Sequence, residues 1–247
     1  MLLEIRYSGK PAAFLRAFKA GYFAILYNFI VMGWVINAMA SVMAVMLNMD
    51  KWTAVWLCVI IALVYAILSG FWGVVVTDLV QFLIAMFGSI ALAIIALNYV
   101  GGMETLLLKL NQLLGTDVVT ENTLKFIPPI PDEGLGTQTF WKSPFSKFLI
   151  FTTIMWWSHH GTDGGGYIIQ RMSSAKNERH ALLATLWFNL AHYALRVWPW
   201  IIVAVVSIVM FPIIPSEYSE LGVKAGYPLV MNTLLGPGLK GILIVSF

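Results

Sequence analysis

Five stretches of this chain are apolar over the length that a membrane-crossing helix requires. About 20 apolar residues are needed to traverse a hydrocarbon core roughly 30 Å thick. The runs at about 20–47, 52–68, 71–100, 145–172 and 181–214 meet that need. A sixth begins at Leu239 and has reached only Phe247 at the last residue, too short to span. Composition agrees: 60% of the 247 residues are hydrophobic and 11% charged, against about 25% charged in an average soluble domain. With 15 basic and 12 acidic side chains the chain cannot cover a globule of this size with charge. Apolar runs of this length read as transmembrane helices. The expected fold is an all-α polytopic membrane protein with five full transmembrane helices plus the start of a sixth.

Helix breakers mark the same boundaries: Asn48 to Lys51, Ser69-Gly70, Gly101-Gly102, and Pro212 with Pro215. Three regions result. Residues 1–100 carry the first three spans, 101–144 form an extramembrane loop, and 145–247 carry the remaining two spans and the truncated run. The loop is long for a connection without structure of its own. Leu106, Leu107, Leu110, Leu113 and Leu114 repeat at helical spacing within it, which predicts a short helix on the membrane surface.

Lysine and arginine set the orientation. The amino-terminal segment holds Arg6, Lys10, Arg16 and Lys19 against Glu4. The loop after the fourth span holds Arg171, Lys176 and Arg179 against Glu178. The other connections mix lysines with acids and carry no arginine. Alternation from a cytoplasmic start puts the first two groups inside and the rest outside. The expected location is a plasma membrane, that of a bacterial inner membrane, with the amino-terminal end cytoplasmic. A net charge of +3 without a basic tract gives no reason to expect nucleic acid as a partner; the lipid bilayer is the expected one. The single Cys58 allows no disulfide framework. The opening residues, with Glu4 and no apolar core, are not a signal peptide.

Ionisable and polar groups at membrane depth mark a function or a paired structural role. Thr77, Asp78, Gln81 and Gly88 lie on roughly one face of the third span. Asp78 sits about 10–12 Å in from its cytoplasmic end. It reads as a cation-pathway carboxylate or as one held by donors from another helix. In the fourth span, Trp156-Trp157-Ser158-His159-His160-Gly161-Thr162-Asp163 runs into Gly164, Gly165 and Gly166. So many glycines make poor helix, and unwound backbone at this depth builds the midplane sites of transporters. The other reading ends the span at Trp157 and places the rest in solvent. In the fifth span Thr185, Asn189, His192 and Arg196 form one polar stripe on a regular helix. It faces a ligand or forms an interhelical hydrogen-bond seam. Pro199 predicts a kink just beyond. Asn37, Ser41 and the Met39–Met46 run read as helix packing.

Enzyme motifs are sparse. His159, His160 and Asp163 with His192 could form a metal site, so a membrane metalloenzyme is the alternative from another class. There is no His-Glu-x-x-His motif, no phosphate loop and no nucleophile elbow. No cofactor is expected, and catalysis is not the favoured reading.

Two motifs bring a family into view. Ser69-Gly70-Phe71-Trp72-Gly73-Val74-Val75-Val76-Thr77-Asp78-Leu79-Val80-Gln81 resembles the Gly-Gly-x-x-Ala-Val-x-x-Thr-Asp-x-x-Gln signature of the sodium/solute symporter family. Gln170-Arg171-Met172-Ser173-Ser174-Ala175-Lys176 resembles that family's Gln-Arg-x-x-Ala-Ala-Lys segment after a broken helix. Glu4-Ile5-Arg6-Tyr7, Tyr227-Pro228 and Gly238-Leu239-Lys240-Gly241 add to the resemblance, which covers essentially the whole chain in order.

The resemblance implies a LeuT-type inverted-repeat bundle of five plus five helices. The first three spans would close the first repeat, and the next two would open the second. The chain would then be an internal fragment, with the missing transmembrane helices of the full-length transporter as partners. The family's main sodium ligands would lie outside it, so this segment is not expected to transport alone. The implied function is sodium-coupled symport of a small organic solute by alternating access, with Na+ as coupling ion; the alternative within transport is proton coupling. By the resemblance Asp78, with Gln81, lies on the ion route, and Thr153, Trp156 and Trp157 fall near substrate-contacting positions. His159, His160 and Asp163 in the unwound stretch and Asn189, His192 and Arg196 on the fifth span complete the expected solute site. His192 stands where sugar-transporting relatives have a lysine, and with Arg196 this points to an anionic or carboxylate-bearing solute.

Overall fold

The computed structural model describes residues 7–113, 125–132, 134, 136–155 and 166–246. Among the described residues three helices are long and apolar enough to cross a membrane. They are α1 (Gly9–Leu47), α2 (Lys51–Val100) and, later in the chain, α7 (Glu178–Met210). Between them come α3 (Gly102–Gln112), α4 (Gln138–Lys142), α5 (Pro144–Met155) and α6 (Gly166–Ser173). A 3-10 stretch (Ser216–Ala225), α8 (Gly226–Leu234) and α9 (Pro237–Ser246) follow α7. Among the described residues there is no strand.

The expected second and third spans are joined in α2, whose 50 residues would make a rod of about 75 Å. That is more than twice the hydrocarbon thickness. Gly70 divides it: φ 59° and ψ −171° lie in a region open essentially to glycine alone, and no α-helix continues through it. The two arms, 51–69 and 71–100, coincide with the two expected runs. The fourth expected span is described in two pieces, α5 and α6; the residues between them lie outside the described set.

The start of α1 is eleven residues earlier than its apolar run, because Gly9–Gly21 is an amphipathic helix carrying Lys10, Arg16 and Lys19 and runs directly into the span. It ends where Asn48 takes a left-handed conformation at φ 50°. Asp50 then caps α2, its Oδ2 accepting from the Trp52 and Thr53 amides at 3.0 and 3.2 Å. Asn177 caps α7 in the same way, accepting from the His180 amide at 2.9 Å. Pro212, two residues beyond Met210, stops that helix four residues short of its apolar run.

Two compact units divide the chain, one of residues 1–92 with 213–247 and the other of residues 93–212. In the first, Ala40, Met43 and Ala54 form a small core with Met39, Met49, Val55 and Cys58 against it. The methionine run therefore serves packing, as its composition indicated. Leu229, Val230 and Met231 of α8 are buried, and α8 contacts α1. Asn232 on α8 donates to the Val45 carbonyl near the end of α1 at 3.3 Å, and Lys240 Nζ on α9 donates to Asn232 Oδ1 at 2.7 Å. Gly88 of α2 admits Leu243 of α9: a Cβ on Gly88 would collide with Leu243 Cδ2.

In the second unit, α3 is the helix expected in the loop. Its Leu106 and Leu110 are each 1% exposed. The helix contacts the second half of α7, where Val203 and Val206 are fully buried. Its leucine stripe thus meets protein, while Leu107 and Leu108 face outward.

Candidate functional site

In the middle of α7 the helix changes its winding. Glu178–Asn189 is α-helical, Leu190–Leu195 is π-helical, and Val197–Met210 is α-helical again. The Arg196 amide donates to the Ala191 carbonyl, five residues back, at 3.0 Å. Pro199, which has no amide to give Leu195, follows at the start of the second α-helical part. The irregularity expected at this proline is a wide turn on its amino-terminal side.

A turn closed over five residues holds one more residue than an α-turn, so everything beyond it is rotated by about 100°. The expected single stripe is therefore two pairs. Thr185 and Asn189 precede the wide turn and spend donors on their own helix. Thr185 Oγ1 donates to the Ala181 carbonyl at 2.9 Å, and Asn189 Nδ2 to the Thr185 carbonyl at 3.0 Å. His192 and Arg196 form the second pair on another face. The correction to the stripe comes from helix winding, which a fixed 3.6-residue period cannot represent.

The second pair is held by aromatic rings. The His192 imidazole stacks on Phe188, with ring centroids 5.2 Å apart and planes 9° from parallel. Tyr193 meets His192 edge-on at 4.9 Å. The Arg196 guanidinium lies over the Trp200 ring, its Cζ 4.4 Å from the centroid. Phe188, His192, Arg196 and Trp200 are thus four rungs at spacings of four residues. Sequence reasoning passed over Phe188 and Trp200, although an aromatic four residues from a histidine or arginine on a helix is the signal that finds them. The middle rungs sit deep: α7 is about 50 Å long, and Arg196 lies within about 3 Å of its midpoint. Beside Phe188 and Thr185 a mostly apolar cavity of about 120 Å³ opens between α6 and α7, with Ile168, Arg171, Met172 and Ala184 as its other walls.

Thr153 lies in a second π-helical segment, Phe151–Met155, exposed, with its Oγ1 donating to the Leu149 carbonyl at 2.6 Å. Trp156, Trp157, His159, His160 and Asp163 lie outside the described residues. On the carboxyl-terminal arm of α2, Asp78 is exposed and engaged in an interaction, and Gln81 is half-buried. Thr77 Oγ1 donates to the Gly73 carbonyl at 2.6 Å. Gln81 and Gly88 share a face two turns apart, so the face carrying Gln81 is the one on which α9 seats.

A family model described as the sodium:solute symporter family matches residues 2–246. The chain belongs to the sodium:solute symporter family. Solute carrier family 5 member 4 of Rattus norvegicus is 27% identical over 218 residues, which is 80% of this chain and 31% of that protein. The sodium/mannose cotransporter SLC5A10 of Bos taurus is 27% identical over 205 residues, 74% of this chain and 32% of that one. The chain thus spans about a third of the length of these relatives. No solved structure matches. The family is one of multi-pass membrane transporters, not enzymes, and the long apolar helices accord with that.

Proposed function

We propose that this chain serves sodium-coupled secondary active transport of a small organic solute, with solute and Na+ bound near the membrane midplane and moved by alternating access. The match along residues 2–246 carries the reading. It is supported by the break at Gly70 inside the signature that ends at Asp78 and Gln81. In this reading the two arms of α2 are separate spans. With α1, the span that includes α5 and α6, and α7, they make five, and α9 opens a sixth, within a LeuT-type five-plus-five layout. The amino-terminal end lies on the cytoplasmic side in this reading, which the Lys and Arg distribution supports, and the membrane is a bacterial plasma membrane.

Within that frame α7 offers its half-buried His192 and Arg196 to the solute, together with Thr153 of α5. Asp78, about 12 Å beyond the break at Gly70, lies on the inward ion route with Gln81. The test is uptake by proteoliposomes containing the complete transporter that carries this segment, screened over labelled sugars, amino acids and carboxylates. Uptake should follow an imposed sodium gradient and stop when potassium replaces sodium. Asp78→Asn should raise the sodium concentration for half-maximal uptake. Uptake that follows a pH gradient without any sodium requirement would sink the reading.

A further inference from the structure

We infer that the solute carried past α7 is a monovalent carboxylate, that Arg196 receives it through the edge of its guanidinium, and that Trp200 and Phe188 are the positioning residues that hold Arg196 and His192 in place. This rests on the reading that α7 lines the solute path. An arginine near the middle of a membrane-length helix stays charged, because its side chain does not give up its proton in a protein. A purely structural arginine at that depth is expected to be tied down by a carboxylate or by carbonyls. Among the described residues no oxygen accepts from the Arg196 guanidinium, which lies against the Trp200 ring at 4.4 Å. That ring offers no oxygen to the guanidinium. The five N–H donors lie in the plane, along the edge, and are left for a ligand.

A planar carboxylate matches that fork with two parallel hydrogen bonds and cancels its charge. An uncharged solute would accept hydrogen bonds and leave the charge in place. A phosphate dianion would call for a second permanent cation. The nearest on α7, Arg179, is 17 residues away, about 25 Å along the helix. His192, one turn before Arg196, supplies a ring N–H donor instead. Its ring plane is fixed between the Phe188 face and the Tyr193 edge, and among the described residues its ring nitrogens have no hydrogen-bond partner. The wide turn at Leu190–Leu195 rotates this pair away from Thr185 and Asn189, each of which gives a side-chain hydrogen bond to its own helix. The carboxylate therefore meets Arg196 and His192 and not the Asn189 amide.

The test uses the complete transporter, purified, and phenylglyoxal, a reagent for accessible guanidinium groups, with the Arg196 peptide followed by mass spectrometry. Acetate, propionate, pyruvate, lactate and benzoate are the probes, each against its methyl ester at fixed sodium, with glucose and inorganic phosphate as further arms. Arg196 is expected to react, and at least one carboxylate to slow that reaction at least fivefold where its ester does not. Trp200→Leu should raise the half-protecting concentration about tenfold, while Trp200→Phe, which keeps an aromatic face, should stay within about threefold. Phe188→Leu should weaken protection without changing the reactivity of Arg196 in free protein.

An unreactive Arg196, equal protection by esters or glucose, protection by phosphate alone, or no protection by any probe would each overturn the inference. Equal protection in wild type and Trp200→Leu would overturn the positioning role. Repeating the titration with potassium in place of sodium separates the two readings. Carboxylate protection indifferent to sodium leaves this inference standing and removes sodium coupling. Sodium-driven uptake of an uncharged solute without carboxylate protection does the reverse.

Discussion

Asn232 joins three helices through two hydrogen bonds, and its removal should be felt in all three. The Val45 carbonyl is among the last four of α1, which ends at Leu47, so it has no donor within its own helix. Asn232 Nδ2 supplies one at 3.3 Å, and the Lys240 ammonium donates to the other side of the same amide at 2.7 Å. The first bond is neutral and long, worth about 0.5–1 kcal/mol; the second is charge-assisted and short, worth about 1.5–3 kcal/mol. Both residues are half-buried, so water replaces part of what is lost. Asn232→Ala should cost about 2–3 kcal/mol, and Lys240→Met about 1.5–2 kcal/mol. Because the two share a bond, the double variant should cost about 1–1.5 kcal/mol less than the sum. Denaturant titration of the wild type, both single variants and the double variant in mixed micelles measures this. A drop in Tm of about 4–10 °C should accompany Asn232→Ala. A cost below about 0.5 kcal/mol for Asn232→Ala, or additivity within about 0.3 kcal/mol, would refute the reasoning.

Gly88→Val should cost about 1–3 kcal/mol by forcing α9 away from α2, and adding Leu243→Ala should restore much of the loss; thermal unfolding of the two variants decides it. Leu106→Ala should cost about 2–5 kcal/mol, since its side chain is fully buried in the second unit. The exposed neighbour Leu107→Ala should stay within about 0.5 kcal/mol in the same denaturant titration. Burial in α8, a nine-residue helix too short to cross a membrane, pushes the Tyr227 phenol above the usual tyrosine range. Its neutral form is thus favoured in the folded state, so stability should be intact below about pH 10 and fall as pH rises beyond it. Tyr227→Phe should flatten that alkaline loss in a pH series of unfolding midpoints.

The membrane character of the chain, its helical content and most helix ends were legible because each rests on local chemistry. Asp50 and Asn177 are strong amino-terminal caps, Pro212 cannot continue a helix, and Gly70 is a residue that can adopt φ 59° without strain. The helix α1 starts eleven residues before its apolar run, because a helix carries a charged amphipathic turn into the span at no cost in hydrogen bonds. The leucine stripe of α3 predicted a helix correctly but not its partner. Leucines at that spacing satisfy a membrane surface and the flank of α7 equally well, and only the tertiary structure distinguishes them. The tie from Val45 through Asn232 to Lys240 crosses 187 residues of sequence in its first bond and leaves no local trace.

The site shows most plainly where sequence periodicity stops. Thr185, Asn189, His192 and Arg196 fall on one face only if every step between them turns by the same 100°. The wide turn at Leu190–Leu195 breaks that condition by one residue, and one residue separates a single polar seam from two faces with different duties. Pro199 was the available hint. Its missing amide frees the Leu195 carbonyl, and the backbone answers upstream, where Arg196 bonds to Ala191 instead of His192. Restoring an amide at 199 therefore offers a structural control on the charged pair. Pro199→Ala lets the α-helical pattern continue through Leu195, and the helix gains the pattern's missing bond while Arg196 rotates back toward Asn189. If the two-face reading holds, this variant should be as stable as the wild type or more so, yet should lose the Arg196 response to carboxylates. Stability and response changing together would instead mean that Pro199 matters only for packing.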